Sequence, residues 1–179
     1  MSIAGERAVA LHLDDTLLLR FAHLATALTG MVFGESRLPD LARAVRESTW
    51  QVGVASCAEL YDRLTGAAND APIIRSFISH LTIGETHFFR NQPQFAALAQ
   101  EILPEIIERR RSQRRLRIWS AACATGEEPY SLAILLGTLL PDYDAWDVSI
   151  LATDIDQQAL DLQVPILAFG PLGGVWSDR

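Results

Sequence analysis

The sequence predicts an α/β protein of two parts: an all-α part over residues 1–80, and a part over residues 81–179 in which strands and helices alternate. Two observations carry this prediction. Apolar residues recur at helical spacing between residues 14 and 80, where no convincing strand pattern occurs. After residue 116 an apolar strand, a helix and a second strand follow one another, an order that favours a parallel sheet.

Four helices are predicted in the first part. The first ends at Gly30, the second begins at Pro39, the third ends at Gly66, and the fourth covers residues 71–80. On the second helix the residues that share an inward face are Leu41, Ala42, Val45 and Ser48.

A loop and a long helix follow. Residues 81–91 have mixed character, and Pro93 then opens a helix that runs to about Arg111, with Pro104 as a position where it kinks. The apolar stripe of this helix consists of Phe95, Leu98, Ile102 and Ile106. Residues 109–117 hold six arginines, which we interpret as a solvated helix end where cations suit the helix dipole.

The second part begins its β/α pattern at residue 116. The predicted strand, helix and strand cover residues 116–121, 128–140 and 148–153. Asp154 and Asp156 follow the second strand, and Asp156 is placed to cap a short helix that ends near Gln163.

Composition narrows the class of protein. The 179 residues are 49% hydrophobic and carry a net charge of −7, which disfavours nucleic acid as a partner. Cys57 and Cys123 lie far apart without metal-ligand spacing, so we expect neither a disulfide framework nor a metal site. No apolar run reaches the roughly 18 residues of a membrane span. We therefore expect a cytoplasmic protein that does not insert into membranes.

A run of small residues follows the first strand. Residues 120–126 read Ser-Ala-Ala-Cys-Ala-Thr-Gly, and Glu127 and Glu128 come next. Small residues at a strand-to-helix turn let the backbone approach a ligand closely, whereas two carboxylates suit an amino or hydroxyl group rather than a pyrophosphate. The loop lacks the Gly-x-Gly-x-x-Gly pattern and the P-loop lysine. It therefore favours an adenosine-type ligand without phosphates over a nicotinamide dinucleotide.

Asp154 stands at the end of the second strand, where an acid in nucleotide-binding α/β folds binds ribose hydroxyls. The alternative is that Asp154 or Asp156 only caps the next helix. The small-residue loop one unit earlier favours ribose binding by Asp154.

Three motifs resemble the CheR family, the S-adenosylmethionine-dependent methyltransferases of bacterial chemotaxis receptors. They are Thr86-His-Phe-Phe-Arg90, Trp119-Ser-Ala-Ala-Cys-Ala-Thr-Gly-Glu-Glu-Pro-Tyr-Ser131 and Ala152-Thr-Asp-Ile-Asp156. The resemblance covers about residues 14–160. It implies a small helical domain followed by an incomplete Rossmann-like methyltransferase domain. It also implies methyl transfer from S-adenosyl-L-methionine to receptor glutamates, with S-adenosyl-L-homocysteine as the product.

The resemblance also implies roles for individual residues. Thr86 and Arg90 resemble residues that line the cofactor site, and Ala122 resembles the loop position whose backbone faces the cofactor's amino-acid end. Glu128 resembles the acid that holds the methionine amino group, and Asp154 resembles the ribose ligand. Arg90 is in addition the candidate catalytic residue, because a guanidinium can orient a substrate carboxylate by two parallel hydrogen bonds.

A basic helix face is a candidate for binding the substrate. The cytoplasmic helices of methyl-accepting receptors are acidic in the biology of this family, and Arg37, Arg43 and Arg46 could attract them. The alternative is an ordinary solvated helix face.

The resemblance implies a longer chain than the one in hand. About 60 residues follow the first strand, too few for a seven-stranded methyltransferase sheet, and the run from Leu162 to Arg179 fits the family poorly. We expect a fragment, a premature stop or a shifted tail, and the sequence leaves these open. It also leaves open a non-catalytic CheR-like module that binds receptor helices or a partner protein.

Overall fold

The computed structural model describes residues 12–68 and 71–162. The expectation about the run from Leu162 to Arg179 therefore falls, beyond its first residue, outside the described residues. The chain divides into two compact units. Of the described residues, those up to Ile83 together with Ile155–Gln158 form one unit, and Gly84–Asp154 together with the residues from Ala159 to Leu162 form the other.

The first unit is helical in its described part. Its main helices are α1 (Asp15–Thr29), α2 (Leu38–Val52), α3 (Cys57–Gly66) and α4 (Pro72–Leu81). Asp14 caps α1 by accepting from the Leu17 amide at 2.7 Å, and Gly30 ends it with a φ of 75°. Ser56 caps α3 through the Glu59 amide at 3.1 Å. The four helices agree with the predicted ones to within one or two residues at most of their ends.

The core of the first unit is formed by all four helices. The predicted inward face of α2 is buried at every position, which confirms its orientation. The fully buried aromatic side chains Phe21 and Phe77 lie 5.9 Å apart between ring centroids. The other large buried side chains of this core are Leu41, Val45, Cys57, Leu60, Leu64, Ile74 and Leu81.

Asp156 belongs to this unit and is 6% exposed. Its Oδ2 accepts from the Ser79 hydroxyl at 3.1 Å and from the Thr82 hydroxyl at 2.9 Å. Its Oδ1 accepts from the Gln158 amide at 3.0 Å, which confirms the predicted cap of the short helix α8 (Gln157–Asp161). A buried carboxylate needs such donors, and the two hydroxyls at the end of α4 supply them.

In the second unit the predicted long helix is interrupted. It consists of α5 (Gln92–Ala97), a π-helical turn (Leu98–Ile102) and α6 (Leu103–Arg110). The π turn ends two residues before Pro104, which has no amide hydrogen to donate to the preceding turn.

The π turn adds one residue and moves the apolar stripe by one position. Ile102 is 45% exposed, whereas Leu103 is 4% exposed and Ile107 7% exposed. The predicted stripe is thus wrong at Ile102, because it assumed an uninterrupted period of 3.6 residues. Ile106 is half-buried and packs against the core of the unit, as predicted.

The described part of the second unit also contains two parallel strands. The strand β1 (Arg115–Ala121) pairs with β2 (Asp147–Thr153), with Leu116 opposite Val148 and Ala121 opposite Thr153. The helix α7 (Glu127–Leu139) connects them. The predicted strand, helix, strand order and the parallel pairing are confirmed. The core beneath this sheet contains Leu103, Ile107, Leu116, Leu136, Leu140, Trp146 and Val148.

Among the described residues, none of the helices is both long and apolar enough to cross a membrane.

Candidate functional site

The loop between β1 and α7 has an unusual backbone. Ala122 and Ala124 have φ angles of 60° and 46°, and Gly126 has a φ of 101°. A left-handed conformation costs an L-residue about 1–2 kcal/mol, and bulky or β-branched residues tolerate it least. The small residues noted in the sequence are therefore those that this loop can accommodate.

The loop is held at both ends by backbone hydrogen bonds. The Cys123 amide donates to the Thr153 carbonyl at 3.1 Å, which continues the pairing of β1 with β2 by one step. The Gly126 amide donates to the Cys123 carbonyl at 2.9 Å and closes the turn before α7.

Asp154 lies directly after β2 and contacts this loop. Its Oδ2 accepts from the Ala124 amide at 2.8 Å. The carboxylate therefore lies beside the small-residue loop, at the carboxyl ends of both strands. In parallel α/β folds this edge is where ligands bind.

The two adjacent glutamates are each held by a hydroxyl. Ser120, which is 1% exposed, donates to Glu128 Oε1 at 2.6 Å. Thr125 donates to Glu127 Oε2 at 2.7 Å. Each bond fixes its carboxylate at the first turn of α7, so the negative charges lie at defined positions.

The segment that precedes α5 carries Thr86 and Arg90. Thr86 is half-buried, and Arg90 is exposed and donates through Nη1 to the Glu85 carbonyl. Arg90 Nη2 also lies 3.9 Å from a Glu85 carboxylate oxygen. The neighbours of Arg90, Phe89 and Asn91, have φ angles of 55° and 63°. Arg90 therefore lies in a tight turn, between two residues with left-handed backbone angles.

Ser131 connects this segment with α7 and was not singled out from the sequence. Its hydroxyl accepts from the Phe89 amide at 2.9 Å and donates to the Glu127 carbonyl at 2.6 Å. The side chain is fully buried. In the sequence it is only a serine directly before the apolar run of the helix, and its role does not follow from the sequence until its partner is known.

Three aromatic side chains lie on or close to the same elements. Trp119 of β1 is 68% exposed, and its indole Nε1 donates to the Thr153 hydroxyl at 3.0 Å. Phe88 and Tyr130 lie 6.5 Å apart between ring centroids. Partial burial raises the pKa of the Tyr130 phenol, which therefore stays protonated at neutral pH.

The structure thus groups the candidate cofactor residues in the second unit. Ala122 lies in the small-residue loop, while Glu128 and Asp154 are hydrogen-bonded to residues of β1 and of the loop. Thr86 and Arg90 lie on the segment that Ser131 ties to α7. Among the described residues, no group of three or more histidine, cysteine or acidic side chains is arranged to hold a metal ion.

The arginines of the candidate docking face belong to the first unit. Arg43 forms an ion pair with Glu47 at 3.2 Å, and Arg37 lies 4.9 Å from the ring centroid of Phe33. Arg46 is exposed on α2. Glu47 lowers the net positive charge of this face, so the alternatives of a docking face and an ordinary solvated face stay open.

A groove of about 600 Å³ lies at the opposite end of β1 from the small-residue loop. Its charged lining is Arg109, Arg110, Arg115 and Arg117. The last two share Asp147 at 3.0 and 2.6 Å. Arg109 lies 3.7 Å from a Glu105 carboxylate oxygen, and Arg110 donates to the Gln113 side-chain oxygen at 2.7 Å. Because these exposed cations already have partners within the chain, the loop is the stronger candidate site.

Sequence comparison with known proteins relates the residues of this site to a family. Residues 84–163 match the family model described as the CheR methyltransferase, SAM binding domain. A probable chemotaxis protein methyltransferase of Rhizobium etli is 44% identical over 100 residues, which are 56% of this chain and 37% of that protein. A chemotaxis protein methyltransferase of Listeria monocytogenes is 43% identical over 93 residues, which are 51% of this chain and 33% of that protein.

A longer match is found with chemotaxis protein methyltransferase 1 of Vibrio cholerae. It is 30% identical over 161 residues, which are 86% of this chain and 55% of that protein. The chain therefore covers between 33% and 55% of the length of these three relatives.

These matches confirm the resemblance inferred from the three motifs. They also confirm the cofactor, since the matched domain is one that binds S-adenosyl-L-methionine. They assign no role to individual residues, so the roles of Thr86, Arg90, Ala122, Glu128 and Asp154 stay predictions. Residues 84–163 thus match the SAM binding domain of the CheR methyltransferase family, and the chain is similar to chemotaxis protein methyltransferases over part of their length.

Proposed function

We propose that this chain provides the cofactor-binding part of a methyltransferase that acts on glutamate side chains of chemotaxis receptors. The observation that carries the proposal is the grouping of a small-residue loop, Glu128 and Asp154 at the carboxyl ends of β1 and β2. The family match to residues 84–163 and the printed names of the relatives support it.

The residues of the loop fit S-adenosyl-L-methionine. Glu128 can pair with the methionine amino group, and the two carboxyl oxygens of Asp154 can accept from two adjacent ribose hydroxyls. Ala122 has no side chain beyond Cβ, so its backbone can approach the amino-acid end of the cofactor. Thr86 and Arg90 would line the same site from the segment before α5.

The parallel pair and α7 correspond to the first β-α-β unit of a Rossmann-like sheet. We propose that the described strands are part of a larger sheet of this kind, with the helical domain at residues 1–80 and the methyltransferase domain from residue 81. The binding edge is the one at which Asp154 and the loop meet, as expected for ligands of open parallel sheets.

The proposed methyl transfer requires no proton transfer by the protein. The cofactor supplies a methyl group bonded to a positively charged sulfur. A glutamate side chain with a reference pKa of about 4.3 is already an anionic nucleophile at neutral pH, so no general base is needed. Arg90 orients this carboxylate by paired hydrogen bonds, so that one oxygen faces the methyl carbon. As the new carbon–oxygen bond forms, the carbon–sulfur bond breaks and both charges are neutralised.

The proposed partner is the acidic helical region of a chemotaxis receptor in the cytoplasm. Arg37, Arg43 and Arg46 would attract it by charge complementarity. Changing Arg43 and Arg46 to glutamate should weaken binding of a receptor cytoplasmic fragment at least tenfold, an effect of about 1.4 kcal/mol, and leave cofactor binding unchanged. Equal receptor affinity in the double variant would show that this face is only solvated.

Two measurements test the proposed reaction. Calorimetry should show binding of S-adenosyl-L-homocysteine by the folded chain, and Asp154→Ala should abolish it. Transfer of a radiolabelled methyl group to a receptor fragment should fall strongly in Arg90→Ala, and unchanged turnover would contradict the role of Arg90. A folded chain that binds receptor but no cofactor would instead support the non-catalytic module.

A further inference from the structure

One buried hydroxyl lies between the two sequence motifs of the second unit. Ser131 is fully buried on the first turns of α7, and its Oγ accepts from the Phe89 amide at 2.9 Å. The same oxygen donates to the Glu127 carbonyl at 2.6 Å. Since a hydroxyl has one hydrogen, that hydrogen is directed to Glu127 and a lone pair remains for Phe89. Both bonds therefore form at once.

The Phe89 bond acts on a backbone that needs support. Phe89 and Asn91 both have positive φ angles, 55° and 63°, although neither is glycine. Residues in this region persist only where the surroundings hold them there. Arg90 lies between the two, so its direction is set by the turn that the Phe89 bond fixes.

The Glu127 bond acts at the start of α7. Glu127 is the first residue of this helix and directly precedes Glu128, whose carboxylate is held by Ser120 at 2.6 Å. Ser131 therefore joins the backbone next to Arg90 to the backbone next to Glu128 through a single side-chain atom.

We propose that Ser131 is a positioning residue that holds Arg90 in register with the first turn of α7. The inference rests on the proposed function, since it gives Ser131 a role in methyl transfer only through Arg90. Serine suits the position because alanine has no hydroxyl and threonine adds a methyl group to a site without exposed surface. The Ser131 contact makes the Thr86–Arg90 segment and the loop before α7 one binding element.

Amide hydrogen exchange tests the contact without reference to activity. In the unmodified chain the Phe89 amide should exchange at least about tenfold more slowly than the exposed Gly84 amide, after correction for intrinsic rates. In Ser131→Ala the Phe89 amide should lose this protection. Fast Phe89 exchange in the unmodified chain, or unchanged exchange in the variant, would overturn the proposal.

Thr138→Ala is the matched control. The Thr138 hydroxyl donates to the Ile134 carbonyl at 3.1 Å, four residues back on the same helix, as that of Ser131 does to Glu127. It lies on the exposed side of α7. Thr138→Ala should leave Phe89 exchange unchanged, and equal loss of protection would show that Ser131 acts only through helix stability.

Kinetics then test the functional part. Ser131→Ala should lower kcat for methyl transfer about tenfold or more, because Arg90 loses its fixed direction. The KM for S-adenosyl-L-methionine should change less than kcat, about threefold at most, because Glu128 and Asp154 keep their hydrogen bonds to Ser120 and Ala124. Loss of Phe89 protection with unchanged kcat would overturn the role in catalysis. If the unmodified chain binds no cofactor, the proposed function fails, and the exchange data still decide whether Ser131 fixes the Arg90 turn.

Discussion

Glu128→Gln is the substitution that most directly tests the candidate cofactor site. The change removes one negative charge and nearly preserves the shape of the side chain. Ser120, which donates to Glu128 Oε1 at 2.6 Å, can donate to the glutamine carbonyl oxygen in the same way. The side chain therefore stays in place, and the loss of affinity reports the charge alone.

The magnitude follows from the contact that is lost. A hydrogen bond to a charged group contributes about 1.5–3 kcal/mol, which corresponds to about a 10- to 150-fold loss of affinity for S-adenosyl-L-homocysteine. Two unit charges 4 Å apart near a protein surface interact by about 4 kcal/mol, which gives the upper limit. Isothermal titration calorimetry measures the change.

Glu127→Gln provides a matched control in the neighbouring residue. It removes the same charge from a side chain that Thr125 holds at 2.7 Å, and it should change the affinity less than about threefold, since only screened long-range attraction is lost. A second control uses 5′-methylthioadenosine, which lacks the amino-acid end. Glu128→Gln should bind this ligand as the unmodified chain does. Equal effects of both substitutions, or an equal loss with both ligands, would refute the assignment of Glu128 to the amino group.

Three further predictions concern stability and are checked by urea denaturation. Gly126→Ala should destabilise the chain by about 1–2 kcal/mol, because the φ of 101° is unfavourable for alanine. Thr82→Val should cost about 1–3 kcal/mol by removing a donor to the buried Asp156 carboxylate at 2.9 Å. The hydrogen bonds from Arg117 and then Arg115 hold the pKa of Asp147 below its ordinary value, so their stabilisation is present above that value and is lost as the pH falls through the lowered one. Asp147→Asn should therefore reduce the loss of stability as the pH falls below about 4.

The helices and the parallel strands were predictable because each follows from a local pattern. Gly30, Pro39 and Gly66 mark helix ends through backbone chemistry that depends on few neighbours. The inward face of α2 follows from residue spacing alone. The π turn before Pro104 could not be predicted from residue spacing, because an apolar pattern with a period of 3.6 residues does not reveal where one extra residue is inserted.

The kind of ligand could be predicted from the sequence, whereas the hydrogen bonds that hold the candidate site residues in place could not. Two acids beside a small-residue loop predicted an amino or hydroxyl ligand, and the loop geometry agrees with the need for small residues. The hydroxyls of Ser120 and Ser131 find partners 8 and 42 residues away. Such contacts arise only once the chain has folded, so single-residue patterns do not report them.

Trp119 gives this protein an optical probe at the edge where Asp154 and the loop meet. Its indole is largely exposed and bonded to Thr153, the residue directly before Asp154, whereas Trp146 is buried in the core of the same unit. Indole emission depends on contact with water, so a ligand that covers Trp119 should shift the emission of this residue to shorter wavelength, while the emission of the buried Trp146 and of the exposed Trp50 in the first unit stays constant. Replacing Trp119 by phenylalanine should abolish the shift, and cofactor binding to the unmodified chain can be followed in real time without a label.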